Sequence, residues 1–305
     1  MAELIREIEK EDLPKIEELI KLVFKTDGTY KDIKRLGGMT NHSYKITLDD
    51  GKEYLMRIPG EGTEDMINRE DERKSTELAC ELGLDSKLLF FSEDGRKVME
   101  FIHDPQEMNA DVMKKKENMS QAADIFRTLH RCGKDTGVRF EVFEMCDSYE
   151  KIILDNNVKL YDDYFDVKNE VMKFKAEVDA DGETSRVPCH NDSLLGNWIL
   201  DGDGKLYLVD WEYSGMNEYM WDLSCLSIES DYDEENDDDL LRLYYQREFS
   251  DKEKKYFIAA KMYVDLLWTL WGLTRVPFDG DFMQEYADER YERLKSNIEK
   301  YKNLG

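Results

Sequence analysis

The chain has 305 residues, long enough to bury a large core as one two-lobed domain or two small ones. Its 69 acidic against 43 basic residues give a formal charge of -26, which argues against nucleic acid or an anionic membrane as the main partner and fits a small cationic ligand better. Cys80, Cys132, Cys146, Cys189 and Cys225 follow no C-x-x-C or metal-ligand spacing, and neither an apolar leader nor a membrane-length apolar run is present, so free thiols and a cytoplasmic location are expected.

Leu13, Ile16, Ile20, Leu22 and Val23 recur at helical spacing and predict an amphipathic helix over 11–24. Three antiparallel strands are predicted over 32–36, 43–48 and 53–58, with Gly37-Gly38-Met39-Thr40-Asn41 in the first turn and Asp49-Asp50-Gly51 in the second. A charged helix over 64–82, stopped by Gly83, and strands over 86–91 and 97–102 complete a small lobe. Beyond it, helices are predicted over 107–132, 147–155, 162–178, 219–228, 237–247, 251–274 and 279–302. A hairpin interrupts them, with strands over 198–200 and 206–209 around Asp201-Gly202-Asp203-Gly204, and the acidic stretch 231–239 reads as a solvated loop. The expectation is an α+β chain with a sheet-bearing lobe over 1–102 and a larger, mainly helical lobe over 103–305.

The hairpin carries chemistry at both ends. His190-Asn191-Asp192-Ser193-Leu194-Leu195-Gly196-Asn197 is an H-x-D-x-x-x-x-N loop, in which Asp192 can orient and deprotonate a hydroxyl while Asn197 holds a metal ion. Asp210 ends an apolar strand where a second metal ligand belongs, and Glu212, two residues on, projects to the same side if the strand continues. This pattern reads as phosphoryl transfer to a small acceptor, because H-N-D and D-W-E replace the H-R-D and D-F-G of protein kinases. His190 reads as scaffold rather than base. The glycines at Gly37 and Gly38 allow backbone amides to approach phosphate oxygens. Arg57 stands on the third strand where a phosphate-binding lysine is usual, and its fork suits phosphate as well; Glu72, or Glu70 one helix phase away, is its expected partner.

The chain resembles the choline/ethanolamine kinases, especially the bacterial choline kinases, over nearly its whole length. The resemblance is carried by Gly37 to Asn41, Met56-Arg57-Ile58-Pro59-Gly60, Gly62-Thr63-Glu64, Ile67-Asn68-Arg69 with Glu72, Cys189-His190-Asn191-Asp192 with Asn197, and Val209-Asp210-Trp211-Glu212-Tyr213 with Asn217 and Trp221-Asp222. It implies a two-lobed protein-kinase-like fold, ATP and Mg2+ as cofactors, and transfer of the γ-phosphate to a small amino alcohol. By that resemblance Asp192 is the base, Asn197 and Asp210 are metal ligands, Arg57 is the phosphate cation, and Met99, Glu100, Phe101 and Ile102 are the adenine-reading hinge. Trp268 and Trp271 share a helix face and match its choline cage, together with Glu229 and Tyr286, and Tyr213 is a further candidate for binding the substrate. The alternatives are an ethanolamine or aminoglycoside phosphotransferase, and a catalytically silent protein of kinase shape.

Overall fold

The computed structural model describes residues 9–36, 41–60, 67–106, 108–182 and 184–304, so the glycine turn Gly37, Gly38, Met39 and Thr40 lies outside the described residues. In chain order the elements begin α1 (Leu13–Phe24), β1 (Asp32–Arg35), β2 (Asn41–Thr47), β3 (Glu53–Pro59), α2 (Arg69–Glu81), β4 (Leu88–Phe91) and β5 (Lys97–Glu100). Next come α3 (Ala110–Met113), α4 (Lys116–His130), α5 (Val142–Asp155), α6 (Tyr164–Asp181) and β6 (Arg186–Cys189). The hairpin β7 (Trp198–Leu200) and β8 (Leu206–Leu208) follows, then β9 (Gly215–Glu218), α7 (Met220–Glu229), α8 (Glu234–Tyr245), α9 (Asp251–Asp279) and α10 (Asp281–Asn303). The chain divides into two compact units, Met1–Met108 with Gly196–Ser214, and Asn109–Leu195 with Gly215–Gly305. The hairpin therefore belongs with the sheet, whereas a single boundary after residue 102 would leave it with the helices.

In the first unit the five strands pair antiparallel in the order β1-β2-β3-β5-β4. Alternation along β3 separates two environments: Met56 and Ile58 join Tyr44, Ile46 and Val98 in the apolar core beneath Ile16, Leu19 and Ile20 of α1, while Arg57 turns to the other face. Leu19 takes the buried place expected of Leu22, which is exposed. Helix α2 starts at Arg69, because the Asn68 side chain accepts from the amides of Glu70 and Asp71 and so supplies a cap; positions 64–66 of the expected helix lie outside the described residues. The β7–β8 turn is closed by Asp201, whose carboxylate accepts from the amides of Asp203 and Lys205.

The second unit is built on α9, a 29-residue helix buried along most of its length and packed against α5, α6, α7 and α10. The helix expected over 107–132 is broken in two, since Asn109 caps the short α3 and the chain re-enters a helix only at Lys116. The acidic stretch 231–239 is not a solvated loop. Asp233 caps α8, and Glu234, Glu235 and Asp237 fill its first turn, where carboxylates oppose the positive end of the helix dipole. Asp237 is drawn inward to Lys261 and Ser227. The pair β6–β9, which no alternation in the sequence marks, carries the chain into and away from the site, with Cys189 opposite Gly215. No helix among the described residues is long and apolar enough to cross a membrane.

Helix α9 opens on a capping box: Ser250 Oγ accepts from the Glu253 amide, and the Glu253 carboxylate accepts from the Ser250 amide at 2.7 Å. Ser250→Ala is expected to lower stability by about 1 kcal/mol, read from urea denaturation; an unchanged midpoint would mean that Arg247, paired with Glu253, suffices to hold this end.

Candidate active site

The first unit contributes a cluster of charges around Arg57. With only 3% of its surface exposed, this guanidinium must be paired, and it meets Glu72 of α2, Asp210 Oδ1 at 2.6 Å and Glu212 Oε2 at 3.6 Å. The helix phase selects Glu72 as the partner: it faces inward with Ser75, Thr76 and Ala79, while Glu70 is exposed and pairs with Arg73. Glu72 also receives Arg69 at 2.7 Å, and Glu212 accepts from the Asn41 amide group at 3.0 Å.

Lys97 is a member of this cluster that carries no motif in the sequence. It lies opposite Arg57 in the β3–β5 register, so both project from one face of the sheet, and its ammonium stands 3.5 Å from Glu72. Burial, with Arg57 adding repulsion, brings Lys97 down to about 8. Asp85 is buried in the same unit, accepts from Trp211 Nε1 at 3.2 Å, and is pushed up to about 6 by burial despite the attraction of Lys97.

The hairpin delivers two of the expected ligands together. Trp198 pairs with Leu208, so Asn197 just before β7 and Asp210 just after β8 lie at the same open end, and the Val209 amide donates to the Asn197 carbonyl at 2.9 Å. Asp210 sits at φ 67°, a left-handed conformation uncommon outside glycine, which marks a backbone held in place by its surroundings. Carboxylate oxygens of Glu72, Asp210 and Glu212 lie within 4.8 Å of one another. Glu72 is engaged by Arg57 and Arg69, which leaves Asp210 and Glu212, with Asn197 at the same end of the hairpin, as oxygen donors of the kind that fits a hard cation such as Mg2+.

Of the residues expected to form the adenine-reading hinge, Met99 is buried in β5, the Glu100 amide donates to the Lys87 carbonyl, and the Phe101 amide donates to the Glu53 carbonyl. A cavity of about 740 Å³ opens in this unit beside Glu53, Phe101, Ile102 and Tyr207, and neither Arg57, Asp210 nor Glu212 lines it. Tyr213 also falls in the first unit, half-buried.

The second unit holds Asp192 on a wired loop. The fully buried Asp222 accepts from the amides of His190 and Asn191, both at 2.8 Å, and from His130 Nε2 at 3.0 Å. Asn191 is at φ 69°, and its side chain and carbonyl are tied by Asn217 and the Trp221 indole, each at 2.9 Å. The Asp192 amide donates to His190 Nδ1 at 3.3 Å, so the imidazole ties the backbone of its own loop. Asn217, Trp221 and Asp222 carry the resemblance in sequence, and here they act by holding this loop.

Three aromatic side chains form a corner in the same unit. Trp268 and Trp271 meet edge to face at 5.9 Å and 83°, and Trp271 meets Tyr286 at 5.9 Å and 74°. Gly272 makes room for this: a Cβ there would come within 2.9 Å of the Tyr286 ring. Trp268 is nearly buried, whereas Trp271 and Tyr286 are partly open. Glu229 and Asp192 both act electrostatically on Tyr286. Glu229 is held by Arg290 at 2.5 Å, and the same guanidinium lies 4.5 Å over the Tyr286 ring. Burial opposes the Arg290 charge, but Tyr286, Glu229 and Asp265 hold this group above its ordinary value. Arg290 carries no signal in sequence apart from its place four residues after Tyr286 on one helix face.

A five-stranded antiparallel sheet with its helix, an H-x-D-x-x-x-x-N loop and an aspartate closing the next hairpin define a phosphotransferase of the protein-kinase-like class. The choline/ethanolamine kinase family model matches residues 33–265. A choline/ethanolamine kinase family protein from Mesorhizobium loti is 31% identical and superposes with a TM-score of 0.82, covering 95% of this chain and 97% of its own. Choline kinase LicA from Streptococcus pneumoniae is 31% identical with a TM-score of 0.79, covering 96% and 100%, and protein LicA of Haemophilus influenzae is 27% identical over 84% of this chain and 76% of its own. The chain belongs to the choline/ethanolamine kinase family.

Asp85 holds its proton up to about 6 when folded against an ordinary 3.8, so its contribution to stability is fully present below 3.8 and is lost as pH rises through about 6. Asp85→Asn, which can still accept from Trp211, is therefore expected to soften the fall in stability between about pH 4 and about pH 6.5, measured by urea midpoints at both values against the parent chain. An equal fall in both proteins would contradict this account of Asp85.

Proposed function

We propose that the chain is an ATP-dependent choline kinase that transfers the γ-phosphate to the choline hydroxyl, giving phosphocholine. The observation that carries the choice of acceptor is the Trp268–Trp271–Tyr286 corner in the unit that also holds Asp192. A trimethylammonium has no N–H to donate, so it is held by aromatic faces, each contributing on the order of 1 to 2 kcal/mol when desolvated. Glu229 beside the corner favours ethanolamine as a second reading, since a primary ammonium needs acceptors. The solved relative named choline kinase LicA supports choline.

In this reading Asp192 accepts the choline hydroxyl proton as that oxygen bonds to the γ-phosphorus and the bond to the β–γ bridging oxygen breaks, releasing ADP. The Asp222 clamp fixes the base, so little reorganisation accompanies the step. Arg57, anchored by Glu72, steadies the nucleotide phosphates, and the hinge from Met99 to Ile102 reads adenine. Mg2+ held by Asn197 and Asp210, with Glu212 behind them, would offset the phosphate charge.

Coupled ADP release with choline, ethanolamine and an aminoglycoside in parallel tests the reading, and fastest release with choline is expected. Asp192→Ala should lower turnover between about 10²- and 10⁴-fold while a fluorescent ATP analogue still binds. Substantial residual turnover would remove Asp192 from the role of base. Trp271→Ala is the cleaner probe of the corner because Trp268 is also core; it should raise the KM for choline roughly 5- to 30-fold and leave that for ATP unchanged. Equal effects on both substrates would count against the aromatic site.

A further inference from the structure

The aromatic corner already contains a cation. Arg290 is 5% exposed, bonds Glu229 through Nη2, approaches Asp265 at 3.5 Å through Nη1 and lies over one face of Tyr286. Asp265 is fully buried and is gripped by Arg293 through two nitrogens, at 2.6 and 3.0 Å. Two carboxylates and two guanidiniums thus balance beside Trp271 and Tyr286. A carboxylate whose charge is matched by a guanidinium is a weaker acceptor for an incoming ammonium than a free one.

The consequence differs between two amino alcohols. A primary ammonium carries three N–H donors and binds where an anionic oxygen can take them, while a quaternary ammonium makes no use of that oxygen and gains from ring faces. We propose that Arg290 is a positioning residue that selects quaternary over primary ammonium acceptors, by engaging Glu229 and leaving the ring surfaces as the main attraction. It acts through Glu229 and Tyr286 rather than by touching the substrate. The proposal rests on reading this corner as the ammonium site, and the test separates the two.

The experiment compares kcat/KM for choline and ethanolamine in the parent chain, Arg290→Met, Arg290→Lys and Arg290→Met with Glu229→Gln, with ATP KM measured in each and folding checked by circular dichroism and melting. In Arg290→Met the released Glu229 should favour ethanolamine, so that the choline-to-ethanolamine ratio falls about tenfold or more, chiefly through KM, while ATP KM stays within about twofold. Removing the freed charge in the double variant should bring the ratio back to within about threefold of the parent value. Arg290→Lys keeps the charge but loses the fork, and its ratio should fall by about threefold, so it carries the test where Arg290→Met does not fold. A folded Arg290 variant in which both acceptors lose turnover together and the ratio stays within about twofold would overturn the proposal, because a purely structural residue behaves that way. ADP release by the parent chain with neither amine would overturn the reading of the corner itself, and the proposal with it.

Discussion

A buried carboxylate that receives two consecutive main-chain amides is the constraint on which the loop carrying Asp192 depends. Asp222 has no exposed surface, and it is satisfied only if His190 and Asn191 present their amides side by side. That demand forces Asn191 into a left-handed conformation, which a non-glycine residue adopts only when its neighbours over-determine it. Asn217, Trp221 and His130 supply that over-determination, each by a hydrogen bond to Asn191 or Asp222. Asp192 follows directly, so its carboxylate is carried on a backbone with little freedom. In the proposed role of base it would need no costly ordering at the moment of reaction.

The first unit solves a comparable problem with opposite signs. Arg57, Arg69 and Lys97 are brought among Glu72, Asp210 and Glu212, and every one of these ions has a counter-ion within 4 Å. Buried charges persist only in such company, since each alone would cost several kcal/mol to desolvate. The same arrangement suits triphosphate chemistry, in which cations must meet phosphate oxygens and carboxylates must meet a metal ion. The second unit repeats the principle at Glu229, Asp265, Arg290 and Arg293, where matched charges lie beside aromatic rings. Charge matching thus shapes both the Arg57 cluster and the Trp268–Trp271–Tyr286 corner.

What could be read from the sequence was whatever depends on short spacing. Asp192 and Asn197 are five residues apart on one loop, Asp210 and Glu212 follow one strand, and Trp268 and Trp271 share one helix face; each relation survives without knowing the fold. Glu72 was narrowed to a pair and settled by helix phase, which one burial pattern determines. Lys97, Asp85 and Arg290 were illegible because their meaning comes from a partner on another element: Lys97 from its register with Arg57, Asp85 from Trp211, Arg290 from Glu229. The acidic stretch misled because a run of carboxylates looks solvated, yet the first turn of a helix favours it. The family match spans 33–265 and ends before Trp268, so it does not itself cover the Trp268–Trp271–Tyr286 corner, which the resemblance of the W-x-x-W stretch implied and which α9 and α10 bring together.

If the chain is a choline kinase, phosphorus moves from ATP to the oxygen of choline. Phosphorus-31 NMR of the protein with ATP, Mg2+ and choline follows that atom directly. A phosphomonoester resonance matching phosphocholine should grow in step with ADP. Growth of inorganic phosphate in step with ADP, with no phosphocholine signal, would contradict the account.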